Sequence, residues 1–239
     1  MTSNTSSGQG FTLVGDSNNI ATGENSVAGN NNSVGRLPSD SPARGGAAST
    51  DLFSRPAPAP SDRDVFVIHG QDEPARQAVF SLLRSLDLQP LEWETLVGRT
   101  GRATPYLGDV ITLAASTTRA ALVLLTPDDM VMLHPQLLNE ERDPNEAVAT
   151  CQARPNVFIE LGLALMAYPS RTVIVEIGHM RRPSDIGGLN VIRFDGSTSS
   201  LRKIANRLRL AGCAVDDSGS DWLDPSRFAG LSTFSRRIE

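Results

Sequence analysis

From residue 64 onwards, apolar and polar residues alternate in blocks whose lengths suit strands and helices. Residues 65–68 form a short, continuous apolar run rich in β-branched side chains, which is typical of a strand buried on both faces. Similar runs recur along the chain. The pattern predicts five strands, at residues 65–68, 88–93, 120–125, 172–177 and 190–194.

The segments between these strands carry apolar residues at the helical period of about 3.6 residues. The period predicts helices at residues 74–86, 106–116, 155–168 and 201–210. Residues 94–105 contain Gly and Arg and are interpreted as a loop, and residues 126–153 show no clear period. Strands that alternate with helices indicate an α/β fold, with a parallel sheet covered on both faces. Ligands of such sheets bind outside the carboxyl ends of the strands.

The first 60 residues differ in composition from the rest of the chain and are rich in Gly, Ser, Asn, Ala and Pro. Within residues 1–36, three imperfect units each contain a Gly, polar turn formers and one β-branched residue, as the coils of a small β-solenoid do. A disordered polar tail is an equal alternative. Residues 37–62 are interpreted as a flexible, Pro-rich linker, residues 63–228 as the α/β domain and residues 229–239 as a C-terminal tail. We expect residues 11–35 to promote oligomerisation.

Composition and charge narrow the function classes. The net charge of −5 and the pI of about 5.3 argue against a dedicated nucleic-acid binder. The two cysteines and three histidines have no ligand spacing, so we predict neither a disulfide framework nor a metal site. No secretory signal and no apolar run of membrane-spanning length is present, so a cytoplasmic protein without membrane contact is expected. Phosphate-binding G-x-G-x-x-G and P-loop motifs and the G-x-S-x-G elbow are also absent.

The most informative stretch is residues 154–162, which places a single carboxylate in an otherwise apolar helix start. Pro155 fixes φ where a helix can begin, and Asn156 is predicted to be its N-cap. Glu160 lies at the edge of a buried face, where desolvation would raise its pKa and suit it for catalysis. The alternative is that Glu160 only benefits from the helix dipole. The predicted buried face consists of Val157, Leu161, Ala164, Leu165 and Tyr168.

Polar residues also follow the first and third predicted strands. His69 is interpreted either as a ligand-binding residue or as part of the turn, and Gly70 allows close backbone approach. Asp72 or Glu73 is suited to cap the next helix. Asp128 is suited to accept hydrogen bonds from ribose hydroxyls, or else it only begins a turn. Because carboxyl ends of parallel strands share one edge, these groups are expected to lie on the same rim as Glu160.

Several motifs together resemble the bacterial TIR-like domain family of predicted nucleotide-binding proteins, which includes the TIR effectors of Pycsar anti-phage systems. The resemblance covers about residues 64–228 and is most specific around Glu160. The motifs lie at residues 64–70, Trp93, 124–129, 153–162, 184–188 and 211–216.

The resemblance implies a flavodoxin-like TIR fold that cleaves the nicotinamide–ribose bond of NAD+, with NAD+ as substrate and no separate cofactor. Glu160 matches the family's catalytic glutamate. His69, Gly70, Asp72 and Arg76 match the loop that helps to hold the nucleotide. Asp128 and Asn156 are added as substrate-binding candidates from their position, although Asn156 is equally explained as the helix cap. Residues 99–106 match the loop that moves on assembly.

The function implied by this resemblance is an NAD+ glycohydrolase that acts as an abortive-infection effector after self-assembly into an oligomer or filament. Residues 1–60 are too short and too polar for a β-barrel sensor domain. A cyclic nucleotide or a separate sensor protein is therefore the expected activator, and activation through the N-terminal repeats is the alternative. Two alternatives stay open. One is a non-catalytic TIR-like nucleotide-binding scaffold, and the other is a base-exchanging or cyclising transferase that uses the same glutamate.

Overall fold

The computed structural model describes residues 60–138 and 147–238. The predicted repeat segment at 1–36, its expected role in oligomerisation and nearly all of the linker at 37–62 lie outside these residues. The strands of the described part are β1 (Ser61–His69), β2 (Gln89–Leu91), β3 (Thr118–Leu125), β4 (Asp129–Val131), β5 (Thr150–Gln152), β6 (Thr172–Ile177) and β7 (Ile192–Phe194). Its α-helices are α1 (Glu73–Ser85), α2 (Trp93–Thr100), α3 (Leu107–Thr117), α4 (Pro155–Ala167) and α5 (Thr198–Leu210).

The main sheet has five strands in the order β2-β1-β3-β6-β7, and every neighbouring pair is parallel. This confirms the predicted five-stranded parallel sheet and its flavodoxin-like arrangement. The strand order reverses between β1 and β3, which is where ligands bind in this class of fold. β3 runs through the middle of the sheet, and its residues from Ala120 to Leu125 are all buried, as its continuous apolar sequence requires.

Helices cover both faces of the sheet, and each face has its own apolar core. Helices α1 and α5 pack on one face through side chains such as Leu83 and Ile204. Helices α2, α3 and α4 pack on the other face through side chains such as Leu96, Val110 and Leu161. No helix of the described ranges is both long enough and apolar enough to cross a membrane.

The prediction of a loop at residues 94–105 is wrong for its first half, because helix α2 begins at Trp93 and ends at Thr100. Gly101 terminates this helix in the left-handed region, with φ of 68°. The helix is only two turns long and buries one side chain fully, Leu96, so its period is weak. Trp93, assigned from sequence to the second strand, packs against Phe66 with ring centroids 6.3 Å apart.

The segment at 126–153, which has no period in sequence, contains a small two-stranded ribbon. β4 and β5 pair antiparallel, with Met130 opposite Cys151. Strands of three residues are too short to establish an alternating pattern, so the sequence carries no signal for them. The ribbon joins the end of β3 to the start of α4 and therefore positions the Glu160 helix.

The chain after α5 packs back against the domain. Trp222 and Phe228 are buried and anchor this segment. The packing continues into the region predicted to be a tail, where Thr233 is completely buried.

Candidate functional site

Helix α4 carries Glu160, and its start differs from the prediction in one respect. The N-cap is Arg154, with φ of −58° and ψ of 142°, and no side chain caps the helix by a hydrogen bond. Proline disfavours the helical region for the residue before it, so Arg154 is extended and Pro155 is the first helical residue. The prediction that Asn156 is the N-cap is therefore wrong. Asn156 is exposed and lies one turn before Glu160, on the same side of the helix.

Glu160 is half-buried, and this desolvation raises the pKa of its carboxyl group above the ordinary value. Its carboxylate forms no hydrogen bond with any other residue that the structure describes. A helix dipole would lower the pKa of an acid, and its effect fades within the first turn, whereas Glu160 is the sixth residue of α4. Burial at the edge of the apolar face, and not the helix dipole, therefore accounts for the raised pKa of Glu160. Val157, Leu161, Ala164 and Tyr168 are buried as predicted, and Leu165 is partly buried.

The contacts of α4 fix which end of the sheet Glu160 approaches. At the end of the helix, the Tyr168 hydroxyl lies 2.9 Å from the Thr118 hydroxyl, at the amino end of β3. At its start, Nη1 of Arg154 lies 3.8 Å from Oδ1 of Asp129, a residue just beyond the carboxyl end of β3. The first turns of α4, with Glu160, therefore lie towards the carboxyl edge of the sheet, where ligands bind.

The switch point between β1 and β3 contains a close approach of Gly70 to Asp128. A Cβ atom on Gly70 would lie 1.8 Å from Oδ2 of Asp128, so no larger residue fits without movement. The same oxygen accepts a hydrogen bond from the backbone N–H of Gln71 over 2.8 Å. The other oxygen, Oδ1, is buried and has no hydrogen-bond partner among the described residues. This oxygen lies 3.8 Å from Nη1 of Arg236, which is an ion pair beyond hydrogen-bond distance. The Asp128 carboxylate therefore fixes the loop after β1 through Oδ2, and its Oδ1 accepts no hydrogen bond from the described residues.

Asp72 caps helix α1, which settles the choice between it and Glu73. Its Oδ1 accepts from the backbone N–H of Ala75 over 3.0 Å. Its Oδ2 accepts from the Thr233 hydroxyl over 2.6 Å and lies 2.9 Å from Nη2 of Arg236. Both oxygens are thus engaged by the protein itself, and the side chain is 1% exposed.

Arg76 and His69 lie at the outer side of this loop. Arg76 pairs with Glu73 and Glu92, which ties α1 to the start of α2, and it lies over the Phe80 ring. These hydrogen bonds, chiefly those from Arg76, lower the pKa of Glu73 to about 2. The half-buried His69 ring lies edge-on to Phe80 and donates from Nδ1 to the Gly70 carbonyl oxygen over 2.9 Å. His69 therefore satisfies the turn, leaving Nε2 as its remaining polar atom.

The sequence-predicted residues form two groups on one rim. Gly70, Asp72 and Asp128 meet at the switch point with His69 beside them, and Asn156 and Glu160 share a side of α4. Gln71, Thr233 and Arg236 complete the first group and were missed. Thr233 and Arg236 reach it from the far end of the sequence, a relationship that no local pattern indicates.

Two cavities of about 570 Å³ each open beside this rim. One lies at the carboxyl ends of β6 and β7, and the other lies between β5, the loop after β6 and residues 236–238. Glu160 lines neither of them. Within residues 60–138 and 147–238, no group of three or more His, Cys, Asp or Glu side chains is placed to hold a metal ion.

Comparison with known proteins agrees with this geometry. The family model for the TIR domain of CAP12/Pycsar effector proteins matches residues 64–196, from β1 to just beyond β7. The uncharacterized protein YuaY of Escherichia coli (strain K12) is 26% identical over 165 residues, which is 67% of this chain and 50% of that protein. The chain thus spans about half the length of this curated relative. The family match extends over more than half of the chain and contains the switch-point loop and Glu160, so the chain belongs to the TIR-domain family of CAP12/Pycsar effector proteins.

Proposed function

We propose that this protein is an NAD+ glycohydrolase that cleaves the nicotinamide–ribose bond, with Glu160 as its catalytic residue. The observation that carries the proposal is the half-buried Glu160 carboxylate near the carboxyl edge of a TIR-type sheet, with no hydrogen bond from residues 60–138 or 147–238. Membership of the Pycsar effector family supports a role as an anti-phage effector. NAD+ is the substrate, and the reaction requires no further cofactor.

The chemistry of this bond suits a single carboxylate. Cleavage of an N-glycosidic bond passes through a state with positive charge on the ribose, as in glycoside hydrolysis. Nicotinamide leaves as a neutral molecule, so a general acid for the leaving group is not needed. The ionised carboxylate of Glu160 would stabilise the developing positive charge and accept hydrogen bonds from the ribose hydroxyls. Water then attacks the ribosyl carbon that nicotinamide has left. In base exchange or cyclisation, another acceptor attacks the same carbon.

The switch-point residues are proposed to hold the substrate in different ways. Oδ1 of Asp128 is buried without a hydrogen bond from the described residues, although Nη1 of Arg236 lies 3.8 Å away. A ribose hydroxyl is a donor of the kind that would satisfy it. Gly70 lets the substrate approach the backbone, with His69 and Arg76 at the outer side of the loop. Asp72 is proposed to act indirectly, by holding the loop, because both of its oxygens are already engaged.

Self-assembly is proposed to complete the site. Glu160 lines neither of the two cavities beside the rim, and a second chain is proposed to supply walls of the site around it. Helix α4 also exposes the apolar side chains of Ile159 and Met166, which are 57% and 81% exposed. A second copy packed against this helix would cover these residues and desolvate Glu160 further. A cyclic nucleotide or a separate sensor protein is the proposed activator.

The position of Glu160 outside both of these cavities also favours a second candidate function. A non-catalytic TIR-like scaffold that binds a nucleotide and signals by assembly needs no enclosed reaction centre. Such a protein would tolerate loss of the Glu160 carboxylate, whereas an enzyme would not.

The test is NAD+ consumption by the full chain, measured over a range of protein concentrations with nicotinamide as the quantified product. Glu160→Gln is compared with Glu94→Gln, which makes the same chemical change at an exposed position on α2. The proposal expects turnover that rises more steeply than linearly with protein concentration, survives Glu94→Gln and is lost in Glu160→Gln. Turnover that survives in Glu160→Gln would refute the catalytic assignment, and absence of turnover with cyclic nucleotides added would favour the scaffold.

A further inference from the structure

A basic cleft lies beyond the carboxyl end of β6, and none of its lining residues has a role in the proposed chemistry at Glu160. One of the two cavities lies between the loop after β6, the β5 strand and the segment after Thr233. Its side chains include four arginines and one histidine, with no Asp or Glu among the described lining residues. The cavity is basic although the chain as a whole carries a net charge of −5. Its lining residues of basic type are His179, Arg181, Arg182, Arg236 and Arg237.

Part of this cleft is held rigidly from behind. The Arg182 guanidinium forms a two-point ion pair with Glu176, whose side chain is 6% exposed, and Nη2 of Arg182 lies 2.7 Å from Oε1. The backbone N–H of Arg181 donates to the Cys151 carbonyl over 2.8 Å, which fixes the loop after β6 to β5. Arg236 is held by Asp72 at the switch point. These contacts give the cavity a preformed wall.

Two exposed arginines flank the cleft. Arg237 and Arg193 form no hydrogen bond or ion pair with another residue of the described ranges, and both are exposed. Arg237 lines the basic cavity and Arg193 lines the neighbouring one. Unpaired guanidinium groups that flank a concave site are suited to phosphate oxygens, which they bind in a bidentate manner.

The neighbouring cavity offers a phenylalanine ring and a carboxylate acceptor, which the described lining of the basic cavity lacks. It shares His179, Met180 and Arg182 with the basic cavity, so the two are adjacent. The Phe234 ring forms part of its wall and stacks on Phe194, with centroids 6.3 Å apart and planes 28° apart. Aromatic rings of this kind provide a surface for a nucleobase. Asp195 also lines the wall, and hydrogen bonds from Ser197 lower the pKa of its carboxyl to about 2, so it is an ionised acceptor at neutral pH.

We propose that these two cavities form one nucleoside-phosphate site, with the phosphates at Arg182, Arg193 and Arg237 and the base against Phe234. The site is separate from Glu160, which lines neither cavity, and it does not depend on the proposed glycohydrolase activity. Two sources supply this chemistry. One is the pyrophosphate of NAD+ itself, and the other is a separate regulatory nucleotide.

The test is isothermal titration calorimetry on the full chain with inorganic pyrophosphate, ADP, NAD+ and a 3′,5′-cyclic mononucleotide. Arg193→Gln and Arg237→Gln are each compared with Arg63→Gln, which removes an exposed arginine at the amino end of β1, on the opposite edge of the sheet. Each cleft substitution is expected to weaken binding about tenfold, the scale of one charge-assisted hydrogen bond. Arg63→Gln is expected to leave binding unchanged.

The competition pattern distinguishes the two sources. Mutual exclusion of pyrophosphate and NAD+ would place the substrate's phosphates in the cleft, whereas a cyclic nucleotide that binds together with NAD+ would identify a regulatory site. Binding that persists in Glu160→Gln while NAD+ turnover is lost would support both proposals at once. If none of the four ligands binds, or if the cleft variants bind as tightly as Arg63→Gln, the inference is wrong whatever the NAD+ assay shows.

Discussion

The hydroxyl group of Thr233 donates a hydrogen bond to the carboxylate of Asp72 over 2.6 Å, across 161 residues of sequence. Arg236 adds an ion pair to the same carboxylate oxygen. Because Asp72 also caps α1 through Ala75, one buried carboxylate joins the loop after β1, a helix start and the segment after α5. The segment that was expected to be a surface tail is therefore part of the switch-point structure.

Replacing Thr233 by Val should reveal how much this connection contributes to stability. The change keeps the shape of the side chain but removes a hydrogen bond to a charged, buried acceptor, so the free energy of unfolding should fall by about 1.5–3 kcal/mol. Urea unfolding measures the loss. Thr112→Val is the matched control, because the Thr112 hydroxyl bonds only to the Gly108 carbonyl on the surface of α3. Equal losses in the two variants would show that the hydrogen bond to Asp72 contributes no more to stability than one on the surface of a helix.

Gly70 should tolerate no side chain while Asp128 is present. The Cβ of Gly70→Ala would lie 1.8 Å from the Asp128 carboxylate, so the carboxylate or the loop must shift and the protein should lose about 1–3 kcal/mol of stability. Gly98→Ala is the control, since a Cβ atom added at this position of α2 would meet no other part of the protein within 4 Å. That change should be neutral or stabilising, by up to about 1 kcal/mol.

A double-mutant cycle isolates this relationship. Asp128→Ala removes the obstructing carboxylate, so Gly70→Ala should cost less in that background than in the parent protein. Urea unfolding of the four proteins measures the interaction free energy. The double variant should lose less stability than the sum of the losses in the two single variants. Strict additivity would mean that the loop avoids Asp128 without cost.

The centre of the main sheet was predictable because its strands are buried on both faces. β1 and β3 contain continuous apolar runs, at residues 65–68 and 120–125, and such a run with β-branched residues identifies a strand of this kind. β4, β5 and α2 were not predictable in the same way. Each is short, and α2 buries only Leu96 fully, so burial leaves no periodic trace in the sequence.

The sequence predicted which residues belong to the candidate site better than it predicted the contacts between them. The apolar face of α4 places Glu160 at its edge, and the structure confirms the resulting desolvation. The role of Asn156 was misassigned because a good capping residue followed Pro155, yet proline itself occupies the first helical position. The contacts of Asp72 with Thr233 and Arg236 depend on how distant segments meet in three dimensions, which residue types and local spacing do not encode.

Tyr168 should make the fold sensitive to alkaline pH. Burial is the main cause that raises the pKa of its hydroxyl to about 12, whereas an unfolded tyrosine titrates near the ordinary value of 10. Between these two values the folded state binds the proton more tightly, so stability should fall as pH rises from about 10 to about 12. Tyr168→Phe should remove this part of the decline. Its unfolding free energy, compared with that of the parent at pH 8 and above pH 10, should converge on the parent value as pH rises.

Glu160 should give the fold a pH dependence of the same sign in the acid range. Desolvation raises the pKa of the folded carboxyl above its unfolded value, so between the two values the native state holds more protons than the unfolded state. The free energy of unfolding then falls as pH rises through this window and is constant above the folded pKa. Glu160→Gln has no titrating group there, so it should gain stability relative to the parent as pH rises through the window. Urea unfolding of both proteins at closely spaced pH values tests the sign.

The same shift predicts the pH profile of NAD+ cleavage, if the ionised carboxylate is the reactive form. Turnover should rise with pH through the folded pKa of Glu160, which lies above that of an ordinary glutamate, and should then become constant. Glu160→Asp supplies a control for the carboxylate itself, since it keeps the charge but withdraws it by one methylene. A profile that rises at the pKa of an ordinary, exposed glutamate would mean that the desolvated carboxylate is not the group that limits catalysis. A profile of the parent that falls over the same range would mean that the protonated form of Glu160 acts, which would reverse the proposed role.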